Sequence, residues 1–271
     1  MPGRLCLVGA GKMGGALLKG WLGAGVAPER LGVVEPSARA AEALLPEPAL
    51  AVVETVAALG WTEPPAAVIF AVKPQVMDDV LPAYRRWSGG KTVFLSIAAG
   101  RTLASLAKHL GADAAIVRAM PNIPAQVGRA VTVACANSAV NPEARALASS
   151  LLQAIGEVEW IEQESWLDAV TALSGSGPAY LFLFAECLAR AGAEAGLPKA
   201  LAERLARATV AGGGELIRTS PVSVEDLRRD VTSPGGTTEA ALEVLMGAGG
   251  LQSLLTRAVE AARRRARELA E

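Results

Sequence analysis

The residues of this chain that can do chemistry fall into glycine-rich and hydroxyl-rich clusters. Gly9-Ala10-Gly11-Lys12-Met13-Gly14 follows the short run Arg4–Val8 and opens a stretch with helical spacing. In that setting a G-x-G-x-x-G pattern is informative. The first glycine allows a tight turn, Gly11 lets the backbone approach a pyrophosphate, and Gly14 lets the helix pack close to the strand. Unpaired N–H groups at the start of the helix then face the anion, so Gly9, Gly11, Lys12 and Met13 are candidate dinucleotide contacts.

Glu35 closes the next apolar run, about 20 residues beyond Gly14, where a carboxylate can bond adenosine ribose hydroxyls. Ser37 and Arg39 follow at once. They can instead hold a 2′-phosphate while Glu35 turns outward or pairs with an arginine, so NADH and NADPH both stay open. Ala71-Val72-Lys73-Pro74-Gln75 and Ser96-Ile97-Ala98-Ala99-Gly100 end two further runs, at the sheet edge where open α/β folds bind ligands. Ala71, Val72, Lys73, Pro74 and Ala99 are candidate contacts there. Arg118-Ala119-Met120-Pro121-Asn122-Ile123-Pro124 ends a third run as a stiff loop, with Asn122 either a turn former or a contact.

Two clusters mark the second half: Ser174-Gly175-Ser176-Gly177-Pro178-Ala179-Tyr180, and Asp230-Val231-Thr232-Ser233-Pro234-Gly235-Gly236-Thr237-Thr238. Each precedes a helical pattern. In the second, Ser233 can cap, Pro234 suits a first helical position, and the glycines expose N–H groups beside two hydroxyls. That is an anion site sized for a carboxylate. Turns between packed helices would account for the glycines but not for the clustered hydroxyls.

These clusters need elements to hold them. From Arg4 to Glu162, β-branched runs alternate with helical stretches, which predicts strands at Arg4–Val8, Leu31–Glu35, Ala51–Glu54, Ala66–Val72, Thr92–Ala98, Ala114–Met120, Ala130–Ala136 and Glu157–Ile161. Runs apolar on both faces imply a doubly wound, largely parallel sheet of Rossmann type, with the later strands free to run antiparallel at one edge. After Ser165 the pattern is helical, punctuated by Gly and Pro at 174–178, 196–198, 212–214, 221, 234–236 and 247–250. The fold class is therefore α/β with an all-helical C-terminal part. We divide the chain into a dinucleotide-binding domain, 1–162, and a helical dimerisation and substrate-binding domain, 163–271. Tyr180–Phe184 is apolar around the whole helix, which a small domain buries most readily against a second copy.

With 271 residues, 51% of them hydrophobic, and a net charge of −1, the chain has no field suited to nucleic acid. Its apolar runs fall far short of the roughly 20 residues a membrane crossing needs, and its start lacks a secretory pattern, so a cytoplasmic location is expected. The arginines at 263–265 and 267 suit the C-terminal end of a helix. Cys6, Cys135 and Cys187 are widely spaced and read as buried apolar groups, and His109, the single histidine, reads as a surface residue. No metal site is expected. Catalysis would rest on a cofactor, backbone groups and hydroxyls.

Taken together, the motifs resemble the Δ1-pyrroline-5-carboxylate reductase family: GAGKMG at 9–14, AVKPQ at 71–75, SIAAG at 96–100, RAMPNIPA at 118–125, DAVTALSGSGPAY at 168–180 and DVTSPGGTT at 230–238. The resemblance spans the chain, and the last two motifs are the family's signature. It implies reduction of the cyclic imine pyrroline-5-carboxylate to L-proline, the last step of proline biosynthesis, with NADPH as cofactor and NADH admitted. It also implies a homodimer whose helical domains build the active sites, often assembled into decamers. Thr238 would hydrogen-bond the ring nitrogen as the catalytic residue, and the N–H groups of Gly236, Thr237 and Thr238 would hold the carboxylate in the loop that starts at Ser233. Glu164 matches an acidic position near the substrate, the alternative being a first-turn helix carboxylate. Asp230 stands where some relatives carry Asn near the cofactor, and no Asn lies between Thr55 and Trp61 for the adenosine ribose. A hydroxyacid dehydrogenase of similar build would need an acid–base group, commonly a lysine on the first long helix of the second domain. Between Ser174 and Leu197 there is none. A non-catalytic dinucleotide sensor would have no use for the hydroxyl-rich loop.

Overall fold

In a computed structural model that describes residues 3–37 and 50–269, the eight runs expected as strands form one sheet. The strands are β1 (Leu5–Val8), β2 (Leu31–Val34), β3 (Ala51–Val53), β4 (Ala67–Phe70), β5 (Val93–Ser96), β6 (Ala115–Met120), β7 (Ala130–Ala136) and β8 (Gly156–Trp160). Their order is β3-β2-β1-β4-β5-β6-β7-β8. All neighbouring pairs are parallel except β6 and β7. The reversal follows from chain length: only Pro121–Arg129 links those two strands, whereas a parallel crossover needs about a dozen residues or more. The helix Pro142–Gln153 then supplies the crossover that makes β8 parallel to β7.

Strand periodicity divides the core. Leu5, Leu7, Ile69 and Leu95 point to one face and pack with Leu17, Trp21 and Leu151. Cys6, Val8, Phe70 and Phe94 point to the other and pack with Met77, Tyr84, Leu106 and Leu110. The first face is covered by α1 (Lys12–Gly23), and Leu106 and Leu110 of the second core lie on α2 (Leu103–Leu110). With both faces covered, β1, β4 and β5 bury every residue. Trp21 also donates its indole N–H to the Leu151 carbonyl at 2.9 Å, tying α1 to the helix Pro142–Gln153, here α3.

The chain separates into two compact units, Met1–Gly175 with Arg263–Glu271, and Ser176–Ala262. The expected division after residue 162 marks where strands end; compactness assigns 163–175 and the end of the last helix to the first unit. Within the first unit, Leu269 lies against Gly100, where an added Cβ would come within 2.6 Å of the Leu269 carbonyl oxygen. Arg267 reaches Asp168 at 3.7 Å.

The second unit holds α4 (Gly177–Glu194), α5 (Lys199–Thr219), α6 (Val224–Asp230), α7 (Thr237–Met246) and most of α8 (Leu251–Glu268). Three expectations need correction here. Gly212–Gly214 does not interrupt a helix but lies inside α5, where flanking Ala, Leu and Arg carry the helix through. The cluster at 174–178 is no loop either: Thr171–Gly175 is a π-helical turn and α4 begins at Gly177. As a result the helical stretch Glu164–Glu194 is long and apolar enough, by length and composition, to cross a membrane, with 6% of its most apolar window buried. Its Gly and Ser residues break the run of strongly apolar side chains without breaking the helix, which is why counting runs missed it.

Candidate active site

In the first unit, β1 leads into a turn whose shape depends on glycine. Gly9 has φ +90°, and a Cβ there would come within 2.8 Å of Val72 Cγ1. At Gly14 a Cβ would run into the Gly9 carbonyl oxygen, whereas one at Gly11 would meet nothing within 4 Å. The turn is thus closed against β4 on one side and open at Gly11, which is the cradle a pyrophosphate requires. Gly11 is the N-cap of α1 and has no side chain to occupy the first amides of that helix. A groove of about 710 Å³ runs along the exposed side of α1, lined by Gly11, Lys12, Gly15, Lys19, Gln126 and Gly128 among others. Met13, expected as a contact, is half-buried and packs against the core. These residues fit a dinucleotide.

Glu35 turns inward. Its carboxylate accepts from the Ala10 N–H at 2.7 Å and from the Ser37 N–H at 2.9 Å. The outward alternative left open by the sequence is therefore not the one adopted. Ser37 is exposed, and Arg39 lies outside the described residues.

Beyond β4, the Ala71 N–H donates to the Val8 carbonyl at 2.8 Å, so Ala71 prolongs the β1–β4 ladder. Lys73 is exposed, and Pro74 opens a single 3-10 turn, Pro74–Val76. Ala99 is half-buried beyond β5. The motif residues at 9–14, 71–74 and 99 thus share the carboxyl edge of the sheet, around the switch point between β1 and β4.

Glu164 proves to be tied down. Its Oε1 accepts from the Leu103 N–H at 2.8 Å and from Arg118 Nη1 at 2.8 Å, with the Arg118 side chain 6% exposed. One carboxylate thereby joins the first residue of α2, the middle of β6 and the first turn of the helical stretch. Burial pushes the adjacent Cys135 thiol up to about 11, with the Glu164 charge adding to the effect. Arg118 was not singled out from the sequence as a site residue. The available signal was an arginine inside the otherwise apolar strand Ala-Ile-Val-Arg-Ala-Met. Asn122 is likewise an internal tie, donating to the Ser174 carbonyl at 3.1 Å and accepting from the Val131 N–H at 3.1 Å. In the adjoining π-helical turn the Ser174 hydroxyl is buried without a partner.

In the second unit, Ser233-Pro234-Gly235-Gly236 forms a turn closed by the Gly236 N–H to the Ser233 carbonyl at 2.9 Å. Pro at the second position and Gly235, φ +67°, at the third match a type II turn. This corrects two expectations: Ser233 does not cap the helix, and Pro234 is not its first residue. α7 starts at Thr237 with Gly236 as N-cap, and the Glu239 carboxylate accepts from the Gly235 N–H at 2.7 Å. Because the Gly236 amide is engaged within the turn, the donors left to the loop are the N–H groups of Thr237 and Thr238, which have no intrahelical acceptor at that position. Thr238 is half-buried, and Asp230, the last residue of α6, is exposed.

Away from these loops, Asp78 is bonded by Arg101 and approached by His109 Nε2 at 2.9 Å, and the Arg101 hydrogen bond holds its carboxyl below the usual carboxylate range. His109, half-buried on α2, is thus within hydrogen-bonding distance of Asp78. Cys6 and Cys135 are buried as expected, but Cys187 is exposed on α4.

Two family models match the chain. Pyrroline-5-carboxylate reductase dimerisation covers residues 164–269, and NADP oxidoreductase coenzyme F420-dependent covers residues 4–100. The pyrroline-5-carboxylate reductase of Pseudomonas aeruginosa is 38% identical over 269 residues, spanning 99% of this chain and 97% of that protein. The one from Pisum sativum is 38% identical over 268 residues, spanning 98% and 95%. Among solved structures, a pyrroline-5-carboxylate reductase from Coxiella burnetii aligns with a TM-score of 0.92 at 35% identity, covering 99% of each chain. The Plasmodium falciparum pyrroline carboxylate reductase with NADP bound aligns with a TM-score of 0.83 at 29% identity, covering 99% and 98%. The glycine turn, the sheet-edge loops and the hydroxyl-rich loop recur in a chain that matches such relatives nearly end to end, and the chain belongs to the pyrroline-5-carboxylate reductase family.

Proposed function

We propose that this protein reduces the imine bond of 1-pyrroline-5-carboxylate to give L-proline, the last step of proline biosynthesis, with NADPH or NADH as the reductant. The observation that carries this reading is the loop Ser233–Thr238, a glycine turn that ends in two helix-start amides and the half-buried hydroxyl of Thr238. The reduced nicotinamide supplies the hydride. Reduction of C=N asks little of an acid catalyst, because a protonated imine is already electrophilic; positioning carries most of the rate. The Thr237 and Thr238 amides hold the substrate carboxylate, with Ser233 and Gly236 shaping the turn, and the Thr238 hydroxyl orients the ring nitrogen and helps to protonate it. The hydride goes to the imine carbon and the proton, drawn ultimately from water, to the nitrogen.

On the dinucleotide side, Gly9, Gly11, Lys12 and Met13 form the pyrophosphate turn, Glu35 and Ser37 serve the adenosine ribose, and Ala71, Val72, Lys73, Pro74 and Ala99 line the remainder, with Arg39 and Asp230 carried over from the sequence alone. We read Glu164 as acting near the substrate through the loops it ties. Residues 1–162 serve as the dinucleotide domain and 163–271 as the dimerisation and substrate domain. The apolar faces of the helical unit support a homodimer, built further into a decamer, in a soluble cytoplasmic enzyme that binds neither membrane nor nucleic acid.

The test follows loss of absorbance at 340 nm with each reduced nucleotide, offering pyrroline-5-carboxylate and a panel of 2-keto and 3-keto acids. Turnover of the pyrroline alone is expected, and inactivity toward it with both nucleotides overturns the reading. Thr238→Ala should lower kcat by roughly 10²-fold while sparing nucleotide affinity. A fall in nucleotide affinity with unchanged turnover of bound enzyme would remove Thr238 from its role.

A further inference from the structure

Resting on that reading, we infer that Arg118 is a positioning residue of the reaction: acting through Glu164, it fixes the loop 97–102 beside the nicotinamide half of the dinucleotide. In the order β3-β2-β1-β4-β5 the adenosine side lies toward β2, so a dinucleotide crossing at β1 extends its other half over the ends of β4 and β5. Ala99 lies in the loop that leaves β5 there. At its start that loop is held by the sheet: the Ile97 N–H donates to the Phe70 carbonyl at 3.1 Å, and the Ala98 N–H to the Ser96 hydroxyl at 3.3 Å. Midway, Arg101 bonds the exposed Asp78 carboxylate.

At its end the loop runs into α2. The N-cap Thr102 accepts from the Ser105 N–H at 3.0 Å, which leaves the Leu103 N–H without an intrahelical acceptor. Glu164, distant in sequence, supplies one at 2.8 Å. Arg118 in turn holds that carboxylate from β6, where its register partners are Ser96, the last residue of β5 before the loop, and Cys135 on β7. Burial keeps the Cys135 thiol neutral, so the anion that meets Arg118 is Glu164. The two members are unequally covered, with the Arg118 side chain 6% exposed and that of Glu164 28%. Once the guanidinium is gone the carboxylate can turn to water, and the Leu103 amide loses its tie. Stability alone is a poor reason for such a pair, because apolar side chains of similar volume often serve a core as well or better.

The test compares NADPH with 2′-phospho-ADP-ribose, the same nucleotide without its nicotinamide, by calorimetry on the full-length protein with no substrate present. Inactivity toward the pyrroline would leave that comparison intact. In Arg118→Met, NADPH should lose at least about threefold more affinity than the fragment, a size typical of coupling through packed neighbours. Arg118→Met combined with Glu164→Leu removes both charges, so it should resist denaturant as well as the unaltered protein, yet keep the same selective loss. The double variant also carries the test if the single one does not fold. Turnover supplies a second readout: kcat should fall at least about tenfold while KM for the pyrroline moves less than about threefold, since none of these bonds touches Ser233–Thr238. Equal losses for the two nucleotides, no loss in either, a double variant that regains the unaltered ratio, or a raised KM at unchanged kcat would each overturn the inference.

Discussion

In the first unit β1, β4 and β5 bury every residue, while in Ser176–Ala262 the buried apolar residues among those described are Ala202 and Ala206. Leu181, Phe182, Leu183 and Phe184 on α4 are all more than 40% exposed, and Val244 on α7 is 76% exposed. The same chain, with the same overall composition, thus builds one unit around its own sheet and another that leaves its largest side chains uncovered. The difference shows where self-sufficiency ends. A sheet covered on both faces by helices closes its own core, whereas a few helices apolar around their circumference need more apolar surface than they contain. A match to a dimerisation family over 164–269 fits that deficit.

The contrast can be broken experimentally. Phe182→Glu places a charge on the uncovered face and should give the largest effect: dissociation to monomers by sedimentation, with activity falling by at least about 100-fold. An assembly that persists would mean this face meets solvent. Phe70→Ala removes a fully buried ring that stands edge-on to Tyr84, centroids 5.2 Å apart, and stacks near Phe94 at 6.3 Å. It should cost about 3–5 kcal/mol in denaturant unfolding while leaving assembly unchanged, because the first unit owns that core.

Alkaline pH should act more mildly, and through the first unit. Burial raises the Cys6 thiol from 9.0 to about 12 and the Cys135 thiol from 9.0 to about 11, and lifts the Tyr84 hydroxyl in the same sense. Groups whose native pKa is raised contribute stability that is complete below the unfolded value and is lost as pH climbs toward the folded one. Stability should therefore be level below about pH 9 and decline above it, by at most about 1.4 kcal/mol per pH unit for each thiol. Unfolding midpoints across pH 8 to 11 would check this, and Cys6→Ala with Cys135→Ala should flatten the decline.

Much of the frame was legible because local signals and tertiary packing agree. Short β-branched runs bracketed by turns became strands, and the spacing of Gly9, Gly11 and Gly14 reported a real steric need, as the collision awaiting a Cβ at Gly14 demonstrates. The antiparallel β7 was foreshadowed by an open edge, though only the short Pro121–Arg129 link decides it. What escaped reading depends on contacts between distant residues or on competition between local motifs. Nothing near Arg118 announces a partner at Glu164. At Ser233 a capping pattern and a Pro-Gly turn pattern overlap; the turn prevailed, because Gly235 takes the positive φ that Pro-Gly favours, and the helix start moved on to Thr237. Glycine in Gly212–Gly214 looked like punctuation, yet its cost of about 1 kcal/mol per residue is small against a long helix. Cys187 was judged by residue type alone, and the circumference of α4 offers no interior for it.

The return of Arg263–Leu269 to the first unit has a consequence for the order of synthesis. Arg267 reaches Asp168, and Leu269 closes on Gly100 in the loop after β5. During translation the sheet is made first, yet these contacts to it come from residues made after the whole helical insertion. The contacts of Arg267 and Leu269 can therefore form only once the helical insertion between Gly175 and Arg263 has been made.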